Sequence, residues 1–129
     1  MKRVFFILTI ITLSIFPACK ANTAAQPAHE AAKQFGYYVA HGDVVKAELC
    51  VINTTDHQNF MDQFVSEIKS QIDNNGGLKQ VTTRDEEILV SGQKTKITVV
   101  WECKGGQVIE KSFILINEDG IWKIDMEQL

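Results

Sequence analysis

The chain lacks the short signatures that mark the common catalytic and cofactor-binding sites. It has no glycine-rich phosphate loop, no His-Glu-x-x-His, no Cys-x-x-Cys and no Gly-x-Ser-x-Gly. Histidine is scarce as well. His29, His41 and His57 all fall near predicted helix ends, where they read as surface or helix-capping residues rather than metal ligands. No catalytic residue, no metal site and no cofactor is expected. Positive charge is also in short supply, with 13 basic against 16 acidic residues. Without the first eighteen residues, which carry Lys2 and Arg3, the balance is 11 against 16. A mildly acidic chain offers neither an electrostatic footprint for nucleic acid nor a basic patch for anionic lipid. The charged run Arg84-Asp85-Glu86-Glu87 reads as a solvated strand edge that discourages edge-to-edge pairing.

What is present is the composition of an ordinary folded globule, 45% hydrophobic and 22% charged over 129 residues, enough for one domain. Long apolar runs are confined to one place. Val4 to Phe16 follows the basic Met1-Lys2-Arg3, and its thirteen residues would span roughly 20 Å as a helix, short of a hydrocarbon core of about 30 Å. Residues 1–18 are therefore expected to be a signal peptide.

Phe16-Pro17-Ala18-Cys19 resembles a bacterial lipoprotein box. That resemblance implies a diacylglyceryl thioether on Cys19 and a membrane anchor through N-terminal lipid. Phe16 stands where the family usually has leucine, and Pro17 is atypical; ordinary cleavage after Ala21 or Ala25 is the alternative, giving a secreted or periplasmic protein. Lys20 after the cysteine leans toward the outer membrane of a bacterial cell envelope. Residues 19–26 read as a short tether and residues 27–129 as a single domain.

In that domain Ala28, Ala31, Ala32, Phe35, Tyr38 and Val39 recur at helical spacing, and Gly42 stops the helix. Asp43 is placed to cap a second, well-buried helix over Val44 to Ile52. Thr55-x-x-Gln58 has capping-box form before a long helix over Asp56 to Asn74. Then the period changes to two. A long irregular strand over Leu78 to Val90 and a turn at Ser91 to Lys94 lead into Ile97, Val99, Trp101 and Cys103, which share one strand face. Asp119-Gly120 predicts a two-residue hairpin pairing Leu115 with Ile124, Asn117 with Trp122 and Phe113 with Met126. A two-residue loop at Gly105-Gly106 would put Phe113 on the wrong face. An odd loop or bulge near Lys104 to Gln107 is therefore expected, pairing Trp101 with Ile109 and Ile97 with Phe113 and placing Lys111 beside Val99. The expected fold class is α+β, with N-terminal helices on one face of a curved antiparallel sheet of about four strands.

This order of elements resembles the nuclear transport factor 2-like, or cystatin-like, α+β cone. More narrowly it is similar to a family of small bacterial envelope lipoproteins of unknown function, some labelled lumazine-binding-like. The likeness rests on Gly42-Asp43-Val44-Val45-Lys46-Ala47, on Phe113-Ile114-Leu115 and on Gly120 to Ile124. The cone also hosts ketosteroid-isomerase-like and polyketide-cyclase-like enzymes, which need a buried carboxylate base and an oxyanion donor. Tyr38 could donate, but the carboxylates fall on outward positions, so an enzyme is not expected. The leading expectation is a non-catalytic envelope domain whose cone could bind a small apolar or aromatic ligand in a pocket of Tyr38, Trp101, Lys111, Phe113 and Trp122; plain core is the favoured reading of the aromatics themselves, and a snorkelling core-edge lysine that of Lys111. The alternative is a protein-interaction or homodimerisation module using the outer sheet face with Val100, Ile114, Ile116 and Ile121. For Cys50 and Cys103, a disulfide and two buried thiols are both open.

Overall fold

The structure, a computed structural model, describes residues 26–52 and 58–126. The expected signal peptide, Cys19, most of the expected tether and the expected Thr55 capping position lie outside the described residues. Three helices precede a four-stranded antiparallel sheet: α1 (Ala28–Ala40), α2 (Val44–Leu49), α3 (Gln58–Asn74), β1 (Leu78–Val90), β2 (Lys94–Cys103), β3 (Val108–Glu118) and β4 (Ile121–Asp125). The strand order is β1-β2-β3-β4. No described helix is long and apolar enough to cross a membrane.

Helix α1 buries the stripe that its spacing predicts, with Ala32, Phe35 and Val39 fully covered. Asp43 caps α2, its carboxylate accepting from the Lys46 amide at 3.2 Å. That helix is shorter and far more exposed than its composition indicates. Only Ala47 is buried, and Val45 and Leu49 stand in solvent. The cause is the path of the chain after Leu49. Cys50 closes the helix, and beyond it the chain runs beside β4, where Ile124 donates to the Cys50 carbonyl and accepts from Ile52, both at 2.8 Å. Residues 50–52 are thus tied to the sheet rather than continuing the helix. In α3, Met61, Phe64, Val65, Ile68 and Ile72 face inward, and Phe60 is partly exposed.

The sheet register follows the hydrophobic pattern. Trp101 pairs with Ile109, Ile97 with Phe113 and Val99 with Lys111. The Cys103 amide donates to the Gln107 carbonyl at 2.8 Å, so the connection is an odd, three-residue loop, Lys104 to Gly106. The Asp119-Gly120 turn has positive φ at both residues, 55° and 88°, the backbone of a two-residue hairpin that matches strand twist. Leu115 pairs with Ile124 and Asn117 with Trp122; the ladder ends at Ile114 and Asp125, one step before the expected Phe113–Met126 pair.

Two faces result. Thr95, Ile97, Val99, Trp101 and Cys103 are all buried on the helix side of β2. On the other side, Val100 is buried too, although no helix covers it. Arg84 on β1 forms an ion pair with Glu110 on β3. Arg84 stands opposite Thr98 and Glu110 opposite Val100, so the pair passes over β2 and shields both. The outer face is therefore less apolar than the sequence implies. Lys96 stands opposite Ile114, and Lys94 and Lys123 flank Ile116.

Candidate functional site

The residues expected to line a pocket are not arranged around one. Trp101 and Phe113 are fully buried. Phe113 lies edge-on to Phe35 and Phe64, with ring centroids 5.4 and 6.0 Å away. Trp101 donates its indole N–H to the Gly36 carbonyl at 2.8 Å. Along the covered face Trp101 is four residues from Ile97, opposite which Phe113 sits, and Phe113 is four from Asn117, opposite Trp122. Each step is about 13 Å, so the three aromatics are strung along the sheet rather than gathered. Trp122 and Tyr38 are half-buried at the margin of the core. Lys111 is exposed, on the part of β3 beyond its ladder with β4.

Cys50 and Cys103 are free thiols, not a disulfide. The register gives the reason. Cys50 is bonded to Ile124, which stands level with Leu115 and so with Thr95 of β2. Cys103 is eight residues further along β2, roughly 25 Å away, whereas a disulfide needs Cα atoms within about 7 Å. Burial pushes the Cys50 thiol up to about 11 against a partial lowering by Lys123, and burial also pushes Cys103 up. At pH 8 only about a thousandth of Cys50 is thiolate, so the folded protein should alkylate slowly and run as reduced thiols on non-reducing mass analysis. The folded state favours neutral Cys50, so its contribution to stability is complete below the ordinary thiol pKa of 9.0 and is lost as pH rises toward about 11.

A cleft of about 640 Å³ lies between α1 and the start of β1. Glu30, Lys33, Gln34, Tyr37 and Tyr38 form the helix wall; Gln80, Val81 and Thr82 form the strand wall, and Gln26 also lines the cleft. A larger volume along α3 is bounded by a single helix face and encloses nothing. Of the predicted pocket residues only Tyr38 reaches the cleft. Gln34 donates its amide to the Tyr38 hydroxyl at 3.1 Å, and the Lys46 ammonium lies 5.8 Å from the Tyr38 ring centroid. Tyr37 is half exposed and its ring rests on His41, centroids 4.2 Å apart. Beneath the cleft the interior is closed. A Cβ on Gly36 would lie 2.7 Å from Val99 Cγ1 and 3.0 Å from Val81 Cγ1. Gly36, inside an otherwise regular helical stripe, was the available signal of a close approach; the adjacent tyrosines Tyr37-Tyr38 were the other.

Among the described residues no carboxylate is buried, and Thr95 and Thr98 are the only buried polar side chains. No group of three or more His, Cys, Asp or Glu among them is placed to hold a metal ion.

No protein-family model and no curated protein matches the chain. A solved structure does match. It is the crystal structure of a proposed NTF2-like transpeptidase from Campylobacter jejuni, 18% identical, with a TM-score of 0.69 over 78% of this chain and 98% of that one. The chain has the nuclear transport factor 2-like fold. At that identity the likeness carries architecture and not activity. In this nuclear transport factor 2-like domain the aromatic core fills the interior beneath the helices, and the open volume lies beside α1 at the sheet edge.

Proposed function

We propose that the chain is a non-catalytic domain, tethered to the bacterial outer membrane through lipid on Cys19, that binds a ligand in the cleft between α1 and β1. The observation that carries the reading is the cleft itself. Its 640 Å³ falls in the range of small-ligand sites, about 300–1,000 Å³, and it combines two tyrosines with amide and hydroxyl groups. A ligand deep in the cone finds no support, since Trp101, Phe35 and Phe113 occupy that space. The name of the Campylobacter jejuni neighbour raises acyl transfer, which needs a nucleophile activated by an adjacent base. Burial disfavours the thiolate at both described cysteines, and no carboxylate is buried near Tyr38. These features favour binding without catalysis.

Mass spectrometry of the protein purified from its own envelope under native conditions tests the reading. Expected are a diacylglyceryl mass on Cys19 and a retained ligand that Tyr37→Ala releases. Tyr37 is half exposed, so its loss should weaken binding about tenfold while changing stability by no more than about 0.5 kcal/mol. An unmodified Cys19 would remove the anchor, and a ligand indifferent to Tyr37→Ala would remove the cleft.

A second reading, an interaction or homodimerisation module, draws on Ile121, which is 55% exposed on the outer face beside the half-buried Ile116. Sedimentation of a lipid-free form carrying Cys19→Ala would show a concentration-dependent dimer that Ile121→Lys abolishes.

A further inference from the structure

The two walls of the cleft differ in kind, and the difference bears on what fits between them. One wall is a row of side chains on α1: Glu30, Lys33, Gln34, Tyr37 and Tyr38, at the spacing of one helix face. The other wall is the edge of a sheet. β1 is the first strand of the order β1-β2-β3-β4, and no described strand pairs with its far side. Its residues Gln80, Val81 and Thr82 pair with Glu102, Trp101 and Val100 of β2 on the near side and line the cleft on the other. In an antiparallel ladder, a residue turns its N–H and C=O together toward one neighbour, and the next residue turns them the opposite way. At least one of these three therefore points both groups away from β2, toward the cleft.

A rigid apolar molecule would take that donor and acceptor out of water and return nothing. An extended peptide returns both. The dimensions agree. From residue 30 to residue 38, α1 advances about 12 Å, and about four residues of extended chain cover the same distance. The charge is balanced: Glu30 and Lys33 stand on the same wall, so a segment of strong single-sign charge would meet one attraction and one repulsion. The Tyr37 ring, half exposed and braced on His41, offers an apolar contact for one side chain of the entering strand.

We infer that the cleft takes an extended, charge-balanced peptide segment of another polypeptide, about four residues long, which adds to β1 as a fifth strand. Backbone bonds to residues 80–82 hold it, and the α1 side chains choose its sequence. This rests on the cleft being the binding site, and it makes the ligand of that site a peptide.

The test uses the chain from residue 19 carrying Cys19→Ala, panned against a displayed library of random linear heptapeptides. Enriched peptides are resynthesised with one backbone N-methyl group at each position in turn, which removes a donor without altering the protein or its folding. The expected result is a loss of tenfold or more at alternate positions, together with slowed amide exchange confined to Lys79 through Thr83. Binders indifferent to N-methylation, or protection at Ile88 to Val90 instead, would overturn the inference. Slow exchange of all amides from 79 to 83 in the free, dilute protein would also overturn it, because the chain itself would then cover the edge. So would protection that appears only as the protein dimerises. If no peptide is enriched but a small molecule is retained from the envelope and released by Tyr37→Ala, the peptide inference fails and the cleft reading stands. If neither binds, both fail.

Discussion

Trp101→Ala is expected to lower stability by about 4 kcal/mol, near the middle of the range for removing a large buried aromatic. For a domain of this size each kcal/mol moves Tm by about 4–8 °C, so the fall should be about 25 °C. Trp101 has no solvent exposure and sits on a central strand between Val81 and Ile109. Its indole N–H bridges the centre of the sheet to α1 through the Gly36 carbonyl. Removing the ring empties the space beneath α1 and unties that helix together. Trp101→Phe separates the two effects. It keeps most of the apolar bulk and loses the N–H, while the Gly36 carbonyl, lying within α1, keeps its place in the helical ladder. That variant should cost about 1–2 kcal/mol. Thermal melts followed by circular dichroism check both values. A loss below about 1 kcal/mol in Trp101→Ala would mean that the indole is not the keystone of this core.

Trp101 also shows how far the sequence could be read. Its burial and that of Ile97, Val99 and Cys103 come from strict alternation, a local signal. The odd Lys104–Gly106 loop comes from asking that Phe113 share their face, because a slip of one residue would expose a phenylalanine and bury a serine. The type of the Asp119-Gly120 turn is legible for the same reason that it works, since glycine accepts the positive φ. Where the reading failed, the deciding partner lay far away in sequence. Val44 to Ile52 is apolar on most sides and reads as a buried helix. Its last residues instead pair with Ile124, more than seventy positions on. Val100 reads as an exposed outer-face residue, and it is buried because Arg84 and Glu110, from two different strands, meet over it.

The site was harder to read than the fold. Aromatic residues on one strand face satisfy the same pattern whether they line a cavity or fill it, and here Trp101 and Phe113 fill it. The cleft depends on which side of α1 meets the sheet edge, and no periodicity states that. Gln34, Gln80 and Thr82 are ordinary polar residues in sequence and become a wall only when helix and strand are set side by side. The cysteines obey the same logic. Cys103 lies on the strand expected for it, whereas Cys50 ends α2 instead of lying within it, and only the register shows that the two lie at opposite ends of the sheet.

Gly36→Val should be the second severe substitution, costing about 3 kcal/mol, and it sets two principles against each other. Helix propensity alone favours any side chain except proline over glycine within a helix, by up to about 1 kcal/mol for alanine and less for a β-branched residue. Packing opposes it. The new Cβ would lie 2.7 Å from Val99 Cγ1 and 3.0 Å from Val81 Cγ1, closer than carbon atoms can settle, and the two Cγ atoms of valine would press further into the same space. Neither neighbour can yield easily, for both are stiff valines on paired strands and Val99 has no exposure. Displacing α1 instead would lengthen the Trp101–Gly36 bond and shift the helix wall of the cleft. Packing therefore wins, and Gly36→Ala should already destabilise by about 1 kcal/mol despite its better propensity. A double-mutant cycle checks the cause. Val99→Ala removes the nearest atom, so the combination of Gly36→Val with Val99→Ala should be less damaging than the sum of the two by at least about 1 kcal/mol in chemical denaturation. Strict additivity would mean that α1 does not approach β2 this closely, and the closed interior beneath the cleft would have to be abandoned with it.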